Sequence, residues 1–268
     1  DLLKGRYGIA TQNITPDMVA SVQVLQNHQP IKVLKGVDLP EDAAINLKLR
    51  SSAVGAMFLN AQVGAGVPFG IMSNELLGMR FTKENQDMIL LKNDNSGRDI
   101  SRELTSFYGV SSSPVINPFS IGVTGNPSID QSHYLFNNAY TASVNDMRLI
   151  GKDYVLTSSL TFMYDTQSKT GRYQQTVYAP GQEVIDILEE QSAHERKREL
   201  SATVTLERNT GEMYLANRTD ANMAWNEMES VIDGNSHVEQ NLSLPSLSIE
   251  NHFRGIKGRN RWTSSIAF

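Results

Sequence analysis

Between Tyr154 and Tyr164 the chain reads Tyr-Val-Leu-Thr-Ser-Ser-Leu-Thr-Phe-Met-Tyr. Taking every second residue puts Tyr154, Leu156, Ser158, Leu160, Phe162 and Tyr164 on one face of a strand, and Val155, Thr157, Ser159, Thr161 and Met163 on the other. Successive strand side chains point to opposite faces, so the segment is apolar on one side and largely hydroxyl-bearing on the other. Its length matches the about 9–11 residues with which a tilted strand crosses a bilayer. Tyr154 and Tyr164 close the apolar face at its two ends, where aromatic rings would sit at the two membrane interfaces. One such strand fits a soluble antiparallel sheet as well. Recurrence of the pattern is what argues for a membrane barrel.

The pattern recurs. From Phe58 to Val67, the residues Leu59, Ala61, Val63, Ala65 and Val67 alternate with Phe58, Asn60, Gln62, Gly64 and Gly66. Similar alternation runs through Tyr134 to Asn145, Leu200 to Glu207, Leu247 to Phe253 and Trp262 to Phe268. The polar faces are rich in Ser, Thr, Asn and Gln rather than Lys and Glu, which suits a wet or plugged lumen better than a surface in bulk solvent. The expected fold is mainly β, with antiparallel transmembrane barrel strands preceded by a small mixed α/β segment.

That segment occupies residues 1–54, and barrel strands fill 55–268. Thr15-Pro16-Asp17 predicts a short helix, a capping hydroxyl followed by Pro at the first helical position. Val22 to Leu25, Ile31 to Gly36 and Ala44 to Arg50 follow as apolar pieces read as strands. A unit of this size cannot bury a sizeable core alone and must pack on something larger. Farther on, Lys92 to Asp99 and the proline-bearing Ser111 to Ser128 read as loops. Residues 181–198 fit a short surface helix and an extended loop equally, because Val184, Ile187, Leu188 and Gln191 have helical spacing among many charges.

Composition narrows the function classes. No run of 18 apolar residues is present, so no helix of this sequence spans a membrane, and a mean hydropathy of −0.33 is compatible with strands that keep half their residues polar. A net charge of −5 argues against nucleic-acid binding. The absence of cysteine removes disulfides, thiolate metal sites and cysteine nucleophiles.

Catalytic chemistry is not written in the chain. His28, His133, His194, His237 and His252 are scattered, with no paired ligand spacing. Lys92 to Asp99 resembles a calcium loop only superficially, since Lys92 would fill the first ligand position, where an acid is required. Asp94 and Asp99 are the residues through which a cation site there would act. Gly64-Ala65-Gly66 lacks a following helix and is no nucleotide fingerprint; its glycines are expected to relieve crowding on the strand's inner face. Glu189-Glu190 near His194-Glu195 reads as a solvated charged run. No enzyme, cofactor or metal is expected. Trp262 heads an alternating strand and suits an interface anchor, while Trp225 is not placed by its surroundings.

Val22-Gln23-Val24-Leu25, Val33-Leu34-Lys35-Gly36 and Ala44-Ile45-Asn46-Leu47-Lys48-Leu49 resemble the end of the plug domain in TonB-dependent outer-membrane receptors. That plug carries a Val-Leu-Lys-Gly-like step and an Ile-Asn-like strand just before the first barrel strand. Thr15 to Val19, Asn95 to Ser101 and Leu244 to Leu247 look like the Bacteroidetes branch of the family. The likeness is diffuse after residue 55. The family's plug is longer on its N-terminal side, and its barrel, with about 22 strands, is larger than the eight to ten strands counted here. The chain is therefore expected to be a fragment rather than a complete small barrel. The resemblance implies uptake of a nutrient ligand across the outer membrane of a Gram-negative bacterium. Its partners would be the TonB energy-coupling system, outer-membrane lipid and, as in some relatives, a surface lipoprotein. Candidate plug–barrel contacts are Asn60, Gln62, Asn46 and Lys48. A non-transporting structural or adhesive barrel and a soluble periplasmic β-sandwich are the alternatives.

Overall fold

The computed structural model describes residues 16–38, 40, 43–67, 70–100, 121–122, 125–178, 184–259 and 262–267, with side chains through residue 258. Among these, β1 (Val19–Leu25) and β2 (Ala44–Leu49) form an antiparallel pair. The remaining strands are β3 (Met57–Gly66), β4 (Ile71–Phe81), β5 (Asn85–Asp94), β6 (Phe136–Ile150), β7 (Tyr154–Val177), β8 (Ile185–Asn209), β9 (Met213–Asp233), β10 (His237–Arg259) and β11 (Trp262–Ala267). They make one nine-stranded antiparallel sheet in which each strand pairs with its sequence neighbours, so β3 and β11 are its edges.

Tight turns at one end explain this simple order. In the β4–β5 turn Thr82 N–H donates to Asn85 O at 2.8 Å, and Asn85 N–H donates to Thr82 Oγ1. The β8–β9 turn repeats the device with Thr210 and Met213. A threonine hydroxyl thus stands in for a backbone acceptor and reverses the chain in a few residues. At the same end Gly151 supplies a positive φ in the β6–β7 turn. The longer connection, Asn95 to Leu135, joins β5 to β6 at their opposite ends, the ends past which β7 to β10 run on well beyond β3 to β5.

The mainly β, antiparallel expectation holds, but several elements differ. No α-helix occurs in the described residues before β3. Pro16–Met18 is a single 3-10 turn, because Val19, Val22 and Val24 are β-branched and pair with β2 instead of continuing a helix. Lys32–Leu34 is likewise a 3-10 turn rather than a strand. It lies between Asn27 (φ 50) and Gly36 (φ 85), and Leu34 and Val37 N–H groups bond three residues back. Residues 185–198 are neither helix nor loop but the first half of β8, paired with β7 and β9. Lys92 to Asp94 belong to β5, so the loop starts at Asn95. Residues 111–120, 123–124 and 181–183 lie outside the described residues.

The buried core sits on one face of the sheet. Leu77, Met79 and Phe81 of β4, Met88 and Leu90 of β5, Met147 of β6 and Met163 of β7 pack together. Leu49 of β2, Phe58 and Val155 close over them. The glycines of β3 permit close strand approach on this face, as expected. A Cβ on Gly66 would stand 2.9 Å from Ile71 Cγ2, and one on Gly64 would stand 3.0 Å from Ser73 O.

Candidate functional site

Along much of β6 and β7 the buried side chains are polar and the exposed ones apolar. On β6, Ser143 and Asn145 are each 2% exposed, whereas Val144 between them is 49% exposed. On β7, Thr161 is 4% and Leu160 49% exposed. The hydroxyl and amide groups are turned inward and bond to one another. Ser143 and Thr161 hydroxyls meet at 2.9 Å, Asn145 Nδ2 donates to Ser143 Oγ at 3.1 Å, and Ser159 Oγ donates to Asn145 Oδ1 at 2.7 Å. Thr141 Oγ1 donates to Phe162 O at 2.9 Å. This mutual satisfaction is what makes burial of so polar a surface tolerable.

The outward face is apolar in continuous rows. The pairing registers align Ala61, Leu76, Leu91, Ala142, Phe162, Leu200, Met223 and Leu247 across β3 to β10. The next outward row is Leu59, Gly78, Ile89, Val144, Leu160, Ala202, Ala221 and Ile249. Neither row holds a polar side chain. One row farther toward the long connection stand Tyr140, Tyr164, Arg198 and Trp225 on four successive strands, and the Tyr140 and Tyr164 rings lie 6.3 Å apart. Toward the tight turns the face turns polar again through Arg80, Asp87, Asp146 and Ser158. Arg148 donates to both oxygens of Asp146, at 2.7 and 2.9 Å. An exposed apolar surface spanning eight strands is far beyond the scattered apolar residues of a soluble monomer.

The N-terminal segment is seated on the inward face at two places. Leu49 joins the β4–β7 cluster, and Gly55 N–H donates to Phe81 O at 2.6 Å. The second seat is on β9 and β10, where Ile31 and Val33 pack on Ile256 and Tyr214. Asn209 holds the backbone there with both halves of its amide: Lys32 N–H donates to its Oδ1 at 2.9 Å, and its Nδ2 donates to Pro30 O at 2.8 Å. Gln29 braces the loop, accepting from Ile31 N–H and donating to Asp38. Burial and the neighbouring Glu207 push the Tyr214 phenol up from its ordinary value.

The residues singled out from the sequence fall as follows. Tyr154 and Tyr164 lie on the outward face at the two ends of its apolar stretch, and the Arg208 guanidinium lies over the Tyr154 ring. Trp262 opens β11 opposite Arg259. Trp225, unplaced by sequence, is outward and exposed. Asn60 is half-buried on the inward face of β3, and Gln62 is exposed. Asn46 donates to Gln23 Oε1 within the β1–β2 pair at 2.8 Å, while Lys48 is exposed beside Ser21. Ile31 and Val33 belong to the Ile31 to Gly36 piece expected to pack against the inner wall, whereas Asn209 is the seat residue that sequence reasoning missed. A single Asn before the turn Thr210-Gly211-Glu212 reads as turn chemistry, with nothing local to mark its partner.

Asp94 is fully engaged: its carboxylate accepts from Ser73 Oγ, Ser96 Oγ and Ser96 N–H. No cluster of three His, Cys, Asp or Glu side chains suited to a metal occurs among the described residues. No helix among them is long and apolar enough to cross a membrane. Compared with known proteins, the chain matches no family model, no curated protein and no solved structure.

Proposed function

We propose that this chain is the end of the plug and the first part of the barrel wall of a TonB-dependent outer-membrane receptor of the Bacteroidetes type, which takes up a nutrient ligand. The observation that carries the membrane reading is the pair of unbroken apolar rows facing outward across eight strands, bordered by Tyr140, Tyr164 and Trp225. In water such a face is costly; against lipid tails it is the favourable arrangement. Backbone groups inside a bilayer must all be paired, so the edges β3 and β11 would have to be closed, by each other or by further strands. A barrel larger than nine strands meets that need and leaves room for an N-terminal segment inside. The exposed Val22, Val24 and Ile45 of the β1–β2 pair are surface that the rest of such a plug and wall would cover.

In this reading the tight turns face the periplasm and the long connection faces outward. The seats at Leu49 and at Ile31 and Val33 hold the plug until TonB pulls on it. Energy coupling, the nutrient ligand and a lidding lipoprotein rest on the sequence resemblance. The role requires no covalent step.

Peptide mapping of the native protein from outer membranes is the test. A membrane species well above 29.7 kDa, about three times that for a 22-strand barrel, with peptides flanking residues 1–268, is the expected result. A membrane species of 29.7 kDa would leave the non-transporting small barrel, and recovery only in the soluble periplasm would leave the β-sandwich.

A further inference from the structure

Where the outward apolar stretch ends, two arginines converge on one acid. Arg196 Nη1 and Arg198 Nη2 both donate to Glu227 Oε2, at 2.8 and 3.0 Å. Tyr164 stands opposite Arg198 across the β7–β8 ladder, which places the group beside the aromatic row. Two guanidiniums and one carboxylate leave a surplus of one positive charge. It is held in place rather than on a free side chain, and each of the three side chains remains more than a third exposed. The backbone reinforces the arrangement: pairing of β8 with β9 is interrupted at Lys197 and Arg198, and Arg198 N–H donates instead to Asn226 Oδ1 at 3.1 Å.

The surroundings fix what such a group meets. Next to it in the direction of the tight turns lie Phe162, Leu200 and Met223. In the other direction lie His194, which bonds Ser168, and Glu229 opposite it. The two guanidiniums therefore fall in the narrow step between acyl-chain surface and water-facing polar surface, with the Glu229 carboxylate one row beyond them. Guanidinium groups carry five donors in a planar fork that suits a phosphate's oxygens. Resting on the membrane reading above, we propose that Arg196 and Arg198 bind the phosphate of an anionic lipid headgroup, with Glu227 as the residue that positions both arginines in the lipid's absence.

Native mass spectrometry of the full-length protein in mild detergent tests this, using phosphatidylglycerol and phosphatidylcholine with matched acyl chains. The wild type is expected to retain phosphatidylglycerol preferentially, and R196Q/R198Q to lose about fivefold in that preference for each arginine removed. R196K/R198K should keep part of it. Glu227→Gln removes the competing carboxylate and should increase retention, an effect that simple loss of structure would not produce. Equal retention by wild type and R196Q/R198Q overturns the proposal. So does displacement by millimolar inorganic phosphate as effective as that by lipid, which would mark a site for soluble phosphate. A protein that stays soluble and monomeric without detergent overturns the membrane reading as well, whereas one that enters micelles without headgroup preference overturns this inference alone.

Discussion

The guanidinium of Arg208 lies over the ring of Tyr154, 5.5 Å from its centroid, and the two residues face each other across the β7–β8 ladder. Asp153 holds the same guanidinium from the adjoining turn at 3.2 Å. Ten residues along the same two strands, Tyr164 stands opposite Arg198. The residues between these pairs on the outward face are Leu156, Ser158, Leu160 and Phe162 on β7, and Leu200, Ala202, Val204 and Leu206 on β8. Ten residues span about 33 Å of strand, which at a tilt of about 40° gives a band about 25 Å tall. That is the height of the apolar band in an outer-membrane barrel. Amphipathic aromatic and arginine side chains suit its two borders, where one part of each side chain is dry and the other wet.

A charge placed within this band should be costly in a way that a charge beyond it is not. Leu160→Arg is expected to destabilise the protein by about 2–4 kcal/mol in a bilayer, as for a midplane arginine on a barrel exterior. Ser168→Arg, on the same face and strand but past Tyr164, should change stability by less than about 0.5 kcal/mol. Unfolding in lipid vesicles by denaturant measures both, and equal effects would count against the band.

Leu76 and Leu77 are neighbours with opposite surroundings. Leu77 is fully buried in the inward cluster, while Leu76 is 39% exposed on the outward face. Leu77→Ala leaves a cavity and should cost about 2–5 kcal/mol. Leu76→Ala should cost roughly 1 kcal/mol or less, because its side chain is already partly exposed and its removal leaves no enclosed cavity. Reversal of that order in equilibrium unfolding would mean that the two faces have been assigned the wrong way round.

Asn209 secures the N-terminal segment through a donor and an acceptor together. Asn209→Ala should free the Pro30–Lys32 backbone and raise the exchange rate of the Lys32 amide, at a cost of about 1–2 kcal/mol for two partly exposed bonds. Asn209→Asp keeps the acceptor for Lys32 N–H and loses the donor to Pro30 O, so an intermediate rate is expected. Hydrogen exchange followed by mass spectrometry reads both variants, and unchanged protection in Asn209→Ala would show that Ile31 and Val33 hold the seat alone.

The β9–β10 turn is expected to respond to pH. His237 lies between Asp233 and Glu239, its Nε2 3.2 Å from Glu239 Oε1 and its Nδ1 bonded to Asp233. The Asp233 bond first, then Glu239, raises its pKa above the ordinary 6.5. A raised folded-state value means that the charged imidazole stabilises the turn fully below pH 6.5, and that this contribution is lost as pH rises through the folded pKa. An NMR titration should therefore show a His237 midpoint above 6.5, and Asp233→Asn should bring it down. A wild-type midpoint at or below 6.5 would remove the proposed turn clamp.

Legibility of the strands followed the contrast between their two faces. β7, β6 and β3 alternate clearly, because one face is apolar and the other hydroxyl, amide or glycine. β4 and β5 were not recognised as strands because both of their faces are apolar: Leu76-Leu77 and Met88-Ile89-Leu90-Leu91 turn one residue outward and the next into the core. A continuous apolar run does not announce its period. In β8, Val184, Ile187, Leu188 and Gln191 mimic a helical stripe, but Ile187 to Gln191 lie in register with Gln175 to Gly171 of β7, and pairing prevails over a weak local preference.

The sequence by itself determined that this is a β protein with alternating strands, that Tyr154 and Tyr164 lie ten residues apart on one face, and that the chain lacks cysteine. These are local properties, set by the two-residue period of a strand and by residue chemistry. Only the tertiary structure decided which face is turned outward, how Ala61 to Leu247 line up across eight strands, and that Asn209 meets Lys32. Asn209 and Lys32 stand 177 positions apart. Such relationships arise from register and packing, in which every strand's neighbours select its alignment, and no short stretch of sequence carries that information.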